Sequence, residues 1–434
     1  MTSFERLQIP ASTPRVFIVG GGIVGSALAY YLSEALPDEQ IILLDKSISS
    51  LVGSTNLAPG FVGQLNASTV LTRLAKDSVA EYTSIPGGFD TVGGLELAST
   101  SEGVKTLRER LQYAEQAGLQ AQIVSAEEAA CLAPDFIKKE EVERGLFFPT
   151  AGTANPRVIT AHYKQQAEKN GVLFVEVTVT GLETDDGVIT GISTSKGPLR
   201  TALDTVILAT GIWTRQVLSS TTSVSPITGT PIPIIPVAHP YTYTTPRPPR
   251  QGMPYPFVRW PEHHVYARDH GDCDGLGSYN HRPVVAVPAD SALGKWPASF
   301  ESVLSGAAQT CMKNGDAFLT QSGSALPSHN AGDRPFNGIF SVTPDNLPFA
   351  GKARATQNLW LCAAIWVTNA AGTAKLIARE MARVHRGETG DSGSDDAEML
   401  KALDPDRFRA ADMEDLTRQA LTRYNDIYNS QPVE

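Results

Sequence analysis

The chain has 434 residues, more than the roughly 250–300 that one hydrophobic core ordinarily serves, so two domains or one domain with a large insertion are expected. Apolar residues make up 41% and charged residues only 19%, which excludes disorder as the main state. The net charge is −10 with no Lys/Arg run, which excludes nucleic acid and anionic membrane as partners. No run of roughly 18 apolar residues occurs, so no helical membrane span is expected.

The opening MTSFERLQIPASTPR has no apolar signal segment, and SQPVE at the other end is no simple peroxisomal address. Both favour a cytoplasmic protein. RVFIVGGGIVGSALAYYLSEAL predicts a buried strand at Val16–Val19, a glycine turn and a helix to about Leu36. QIILLDK predicts the next strand, ending in an acid, and closes a βαβ unit. Helices are expected over 66–84 and 102–118, and Ser125 is the N-cap of a short one in SAEEAACL. A second α/β stretch has a helix after Pro156, a strand from Val172 and a DDG turn between strands. DTVILATGIWT is one more buried strand. The Pro-, Thr- and Tyr-rich region 226–256 begins a part with antiparallel strands in HPYTYT, HHVYARD and LGSYNHR. A helix near 298–313, a polar loop over 314–333, the strand LWLCAAIW and the helix TNAAGTAKLIAREMARV follow. A linker, GETGDSGSDD, leads to a helical tail over about 411–428. The four cysteines, Cys131, Cys273, Cys311 and Cys362, lie far apart, as suits reduced thiols.

Gly20, Gly22 and Gly25 keep the G-x-G-x-x-G spacing around Ile23 and Val24. The first allows a tight turn, the second a close pyrophosphate, the third close helix–strand packing. Asp45, with Lys46 after it, stands at the end of the following strand, where an acid meets ribose hydroxyls. Glycine-rich turns are common, but a strand before, a helix after and an acid at this distance make the pattern specific. It does not choose between NAD and FAD; a distant C-terminal return to the first domain is the flavin pattern. The small residues Ala209, Thr210 and Gly211, with Val179 and Trp213, are assigned to later contacts with the cofactor. The expected fold class is α/β, with a Rossmann-like domain assembled from 12–84, 149–225 and 335–390. An antiparallel-sheet substrate domain is inserted from 85–148 and 226–334, and 391–434 form the linker and tail.

Several pieces taken in order, VGGGIVGSALAYYLSE with Asp45, GSTNLAPG, GTANPRVITAHYKQQAEKNGV, VILATGIWT, YARDHGDCDGLGSY and GIFSVTPDNLPFAG…LWLCAAIWVTNAAG, resemble the D-amino-acid oxidase-like family of FAD oxidoreductases. The dimethylglycine and sarcosine dehydrogenase branch is the most similar. The resemblance implies FAD and oxidation of a C–N bond by hydride transfer to flavin N5, with O2 or another acceptor reoxidising it. Its substrate would be a small amine or amino acid, a secondary or tertiary amine above all. Larger members of the branch carry a folate module, which this length does not imply. Leu57 stands where covalent members have a flavin-linking histidine, and about Gly338 stands where others have a linking cysteine. Non-covalent FAD is therefore expected, with Ser54, Thr55, Asn56, Leu57 and Ala58 against it. Asn369 stands where relatives have histidine, so a specialised biosynthetic substrate is an open expectation. TPDNLPFAG resembles the family's flavin-side loop; Trp366, beside Val367, covers the flavin ring or fills the core, and Thr368 or Asn369 caps the helix whose N-terminus would face the flavin.

Strand alternation puts His264, Tyr266, Arg268 and His270 on one face, Gly277, Tyr279 and His281 on another, and His239, Tyr241 and Tyr243 on a third. A polar wall over the flavin is the functional reading; an ordinary solvated sheet face is the plain one. Arg268 is the candidate partner for a substrate carboxylate, with an ion pair to Asp269 or Asp272 as its alternative role. Tyr266 and Tyr279 are candidates to orient the substrate, and His264 or His239 to relay a proton. His263, His264, His270 and Cys273 match no tetrahedral spacing, so no metal is expected. A flavin-binding assembly protein with little turnover and an NAD-dependent dehydrogenase are the competing functions. The oligomeric state is left open.

Overall fold

The computed structural model describes residues 14–200, 203–220, 229–289, 292–295, 297–318, 336–388 and 395–427. Most of the expected loop 314–333, the middle of the linker and both chain ends lie outside the described residues.

A six-stranded sheet has the first strand, Arg15–Val19, near its centre. The order is Phe349–Lys352, Leu359–Ala363, Thr205–Leu208, Arg15–Val19, Gln40–Asp45 and Leu173–Glu176. All pairings are parallel except that of the edge strand Phe349–Lys352. Its strands read as unbroken apolar runs because both faces are covered. Val16, Ile18, Ile41, Leu43 and Ile207 join a core under the helices Ile23–Ala35, Pro156–Lys169 and Ala370–His385. Phe17, Val19, Ile42, Leu44, Val206 and Leu208 face the opposite core, closed by the hairpin Val179–Asp185 and Val188–Thr194.

The helices start where side chains replace missing backbone partners. Asn155 accepts from the Val158 N–H ahead of Pro156, Ser68 caps Thr69–Thr83, and Ser125 forms a capping box with Glu128. The tail helix is Met413–Asn425, capped by Asp412. It packs on the strands Ile235–Tyr243 and Phe336–Val342.

Those two strands open an eight-stranded sheet. Asp274–Ser278, Val265–Asp269, Phe257–Trp260, Gly94–Ala98, Arg144–Phe148 and Gln122–Ser125 complete it in that order. It is antiparallel except where Phe257–Trp260 runs parallel to Gly94–Ala98. These two strands come from the two separate insertions. No hairpin joins them, so no turn imposes opposite directions. Gly277 lies opposite both Tyr241 and Tyr266, and a Cβ there would overlap the Tyr266 ring. The glycine makes room for the tyrosine.

Alternation failed at His264. The strand starts at Val265, and His264 ends the short turn Pro261–His263 with a φ of 54°. Pro261 breaks the extended run, so His264 does not share a strand face with Tyr266. Among the described residues, no helix is long and apolar enough to cross a membrane.

Candidate active site

A cavity of about 560 Å³ runs from the first glycine turn to Trp366. Gly20 has a φ of 110°, and a Cβ there would lie 2.5 Å from the Ala209 carbonyl oxygen. Gly25 does not line the cavity; a Cβ on it would overlap the Gly20 carbonyl oxygen, as its packing role demands. Helix Ile23–Ala35 has Gly22 at its N-cap with no side-chain cap, and the Ile23 N–H donates to Thr55 Oγ1 at 3.1 Å. The Asp45 carboxylate accepts from the Gly21 N–H at 2.6 Å and the Ser47 N–H at 2.8 Å. Two bonds leave acceptor capacity for ribose hydroxyls. A helix N-terminus that lines the cavity, an anchored acid and a cavity within the usual ligand range of roughly 300–1,000 Å³ fit a dinucleotide.

Of the residues assigned to the cofactor, Gly20, Gly22, Ile23, Val24, Asp45 and Lys46 line this cavity. So do Ser54, Thr55, Leu57 and Ala58 of the loop, and Val179, Ala209, Thr210, Gly211 and Trp213 beyond it. Lys46 Nζ stands 3.7 Å over the Trp213 ring, whose Nε1 donates to the Ala289 carbonyl at 2.8 Å. Asn56 lines neither this cavity nor the next; it lies within the short helix Ser54–Leu57. The sequence reading missed Gln216 and Ser220, four residues apart just past the Ala209–Gly211 turn. That helical spacing was the available signal.

A second cavity of about 160 Å³ adjoins the first; Ala58, Pro59, Phe340, Ser341, Trp366 and Val367 line both. Trp366 is held by an Nε1 bond to the Ser341 carbonyl at 3.1 Å. Thr368 and Asn369 line the second cavity only. Asn369 occupies the N-cap position of Ala370–His385 but makes no side-chain cap; its Nδ2 donates to the Leu71 carbonyl at 2.9 Å. Tyr82 Oη and Ser78 Oγ accept from the Ala371 and Gly372 N–H groups instead. The neighbouring helix therefore supplies the cap that Thr368 or Asn369 was expected to give. Its near approach could be read from Gly372, where a Cβ would overlap the Leu74 carbonyl oxygen.

Tyr266 and Tyr279 line the second cavity, and His239 lines the first. His239 is 2% exposed, with Nε2 at 2.8 Å from Tyr266 Oη and Nδ1 at 2.7 Å from Tyr424 Oη. Burial, and then His281, holds its pKa well below the ordinary histidine value, so the ring is neutral at pH 7. Arg268 lines neither cavity. Its guanidinium donates to the carbonyls of Pro59 and Asp269 and, at 3.5 Å, Ala154, under the loop that carries Gly60. Its side chain supports the cavity loop from below. His264 lines neither cavity.

Arg110 and Arg259 line the second cavity, and neither was anticipated. Glu96, 3% exposed, lies between them. It pairs with Arg110 Nε at 2.6 Å and Nη2 at 2.9 Å, and with Arg259 Nη1 at 3.2 Å. The Arg259 guanidinium also covers the Phe61 ring at 4.3 Å. Burial alone would raise the Glu96 pKa; the two guanidiniums outweigh it and hold the carboxyl below its ordinary value. Among the described residues, no group of three or more His, Cys, Asp or Glu is arranged to hold a metal.

Known proteins are similar to this chain in sequence and fold. Rat dimethylglycine dehydrogenase (Rattus norvegicus, mitochondrial) is 25% identical over 374 residues, covering 82% of this chain and 42% of that protein. The formaldehyde-forming 4-methylaminobutanoate oxidase of Paenarthrobacter nicotinovorans is 28% identical over 213 residues, covering 48% of this chain and 25% of that one. The chain thus spans less than half the length of these curated relatives. The crystal structure of L-proline dehydrogenase from P. horikoshii superposes with a TM-score of 0.75 at 22% identity, covering 92% of this chain and 99% of that one. The model of the DAO family, described as FAD dependent oxidoreductase, matches residues 15–380, from the first strand of the glycine turn to the helix behind Trp366. With that span, the chain belongs to the DAO family of FAD-dependent oxidoreductases.

Proposed function

We propose that the protein oxidises a C–N bond of a secondary or tertiary amine that carries a carboxylate. One observation carries this reading. The smaller cavity meets the dinucleotide cavity at Trp366, is walled by Phe61 and Phe340, and holds two guanidiniums beside Tyr266. The six-stranded sheet would carry the cofactor and the eight-stranded sheet the substrate. When bound, FAD supplies the two-electron acceptor. The aromatic walls exclude water, and Arg259 sets the substrate carboxylate. Tyr266 Oη takes a proton from the substrate ammonium as it passes its own to neutral His239 Nε2, so that the nitrogen lone pair is available. O2 or another small acceptor completes the cycle.

Anaerobic bleaching of the flavin absorbance tests the reading on matched pairs, N-methyl amino acids against the same amines without the carboxylate. Arg259→Met is expected to raise the half-saturating concentration of the carboxylate member roughly 10–100-fold, the loss of a charged hydrogen bond, and to leave the other member nearly unchanged. Equal effects on both would remove Arg259 from this role. A yellow protein that no amine bleaches would favour an assembly role, and a colourless one an NAD enzyme.

FAD is held without a covalent bond in this reading. Leu57 offers no nucleophile at the cavity wall, and both ring nitrogens of His239 are engaged by tyrosines. Acid or heat denaturation is expected to leave the yellow colour in the supernatant. Colour that stays with the precipitated polypeptide would refute it.

A further inference from the structure

The last helix supplies a group that neither the family match nor the proposed chemistry uses. Tyr424 lies beyond residue 380, where the family match ends. It is 0% exposed, and its Oη stands 2.7 Å from His239 Nδ1 and 2.8 Å from His281 Nε2. Asn425, next to it, donates to the Tyr279 carbonyl at 2.7 Å and the His281 carbonyl at 2.9 Å, which holds the helix to this wall. Four groups therefore stand in series: Tyr266, His239, Tyr424 and His281.

The far end of the series sets its direction. His281 Nδ1 lies 2.9 Å from the Arg282 carbonyl oxygen. A carbonyl only accepts, so Nδ1 carries the hydrogen and, in the neutral ring, Nε2 accepts. Tyr424 then donates its single proton to His281 at 2.8 Å, in preference to the Ala238 carbonyl at 3.4 Å. Its oxygen accepts from His239 Nδ1–H, which leaves His239 Nε2 as an acceptor. Tyr266 must donate to it, and so turns oxygen lone pairs toward the second cavity. When His281 is protonated, Nε2 donates to Tyr424, whose proton turns to His239 Nδ1 at 2.7 Å rather than to the Ala238 carbonyl at 3.4 Å, and every bond in the series reverses. The Tyr266 O–H then points at the cavity, where it repels an ammonium.

We infer that Tyr424 is a positioning residue that couples the charge of His281 to the direction of the Tyr266 hydroxyl over the substrate. This rests on the amine reading for its purpose, though not for its geometry. The middle of the series is closed to water: Tyr266 is 3% and His239 2% exposed, and only His281 reaches the surface in part. Of the groups packed around His281, Phe300 of the helix Ser299–Cys311 does not titrate. Tyr424 faces it from the last helix, with Tyr279 against the far side of Tyr424, and tyrosines stay neutral across the acid range. His239 titrates lower still. Burial lowers the His281 pKa, an effect partly offset by the bond to Arg282, so the reversal falls on the acid side of neutrality.

Nitrogen NMR of histidine-labelled, FAD-loaded full-length protein tests this without turnover. At about pH 8, His281 and His239 are both expected as Nδ1–H tautomers. As the pH falls, His239 is expected to change to Nε2–H with the same midpoint at which His281 gains its proton. In Tyr424→Phe, His281 still titrates and His239 no longer follows it. An Nε2–H tautomer in either ring at high pH, independent titration in the wild type, or preserved coupling in Tyr424→Phe each overturns the inference. The wild-type titration decides even if the variant fails to fold. Coupled tautomers in a protein whose flavin no amine bleaches would sink the amine reading and leave this coupling standing.

Discussion

Glu96→Ala will lower the unfolding free energy by about 3–5 kcal/mol, the cost of leaving buried charges without their partner. Arg110 and Arg259 have side chains only 8% and 14% exposed, and both point at the lost carboxylate. Denaturant unfolding with an unchanged slope and a lower midpoint is the expected record. Glu96→Gln, which keeps the shape, should recover part of the loss through its amide oxygen. A change below about 1 kcal/mol in Glu96→Ala would mean the triad is solvated and contributes no more than a surface pair. The sign with pH follows from the depressed carboxyl. Its folded pKa lies below the ordinary 4.5, so its stabilisation is fully present above that value. The wild type loses it as the pH falls through the folded value, and Glu96→Ala lacks that part of the acid slope.

Gly25→Ala is the second large effect, expected to reduce bound flavin at least about tenfold and to cost about 3 kcal/mol or more in stability. A Cβ at this position meets the Gly20 carbonyl oxygen well inside van der Waals contact, and Gly20 cannot yield. Its left-handed φ of 110° and the Ala209 carbonyl behind it hold the turn. The helix start must then move away from the strand, taking the anion-binding N–H groups with it. Gly306→Ala is the control. A Cβ there meets nothing within 4 Å, and flavin content should stay near wild type. The flavin-to-protein absorbance ratio and a thermal melt read both variants. Full flavin content in Gly25→Ala would show that the turn is not the cofactor's anchor.

The glycine turn and its acid were legible in the sequence. Gly20, Gly22 and Asp45 lie within one βαβ unit, where spacing along the chain is also spacing in space. The strand DTVILATG was legible for the same reason: an unbroken apolar run ending in small residues marks a buried parallel strand opening on a ligand. The lining of the second cavity was not. Arg268 was chosen because it alternates with Tyr266, but alternation assigns a face and not the length a side chain travels. The Arg268 guanidinium passes beneath the loop to the Pro59 carbonyl. Arg110 looked like one more charge on an exposed helix, and only the strand Gly94–Ala98 beneath it, with Glu96, shows that it is buried.

By itself, the sequence determined the glycine turn, its acid and the Ser125 cap, because each depends on residues close together along the chain, and the family, because its motifs recur in order. Only the tertiary structure decided that Glu96 joins Arg110 to Arg259, and that Tyr424 reaches His239 across 185 positions. It also decided that Tyr82 and Ser78 close the helix behind Trp366. Contacts of this kind follow from the order of strands and the packing of helices. No local pattern encodes them, because the free energy that selects them is the burial of two whole faces at once.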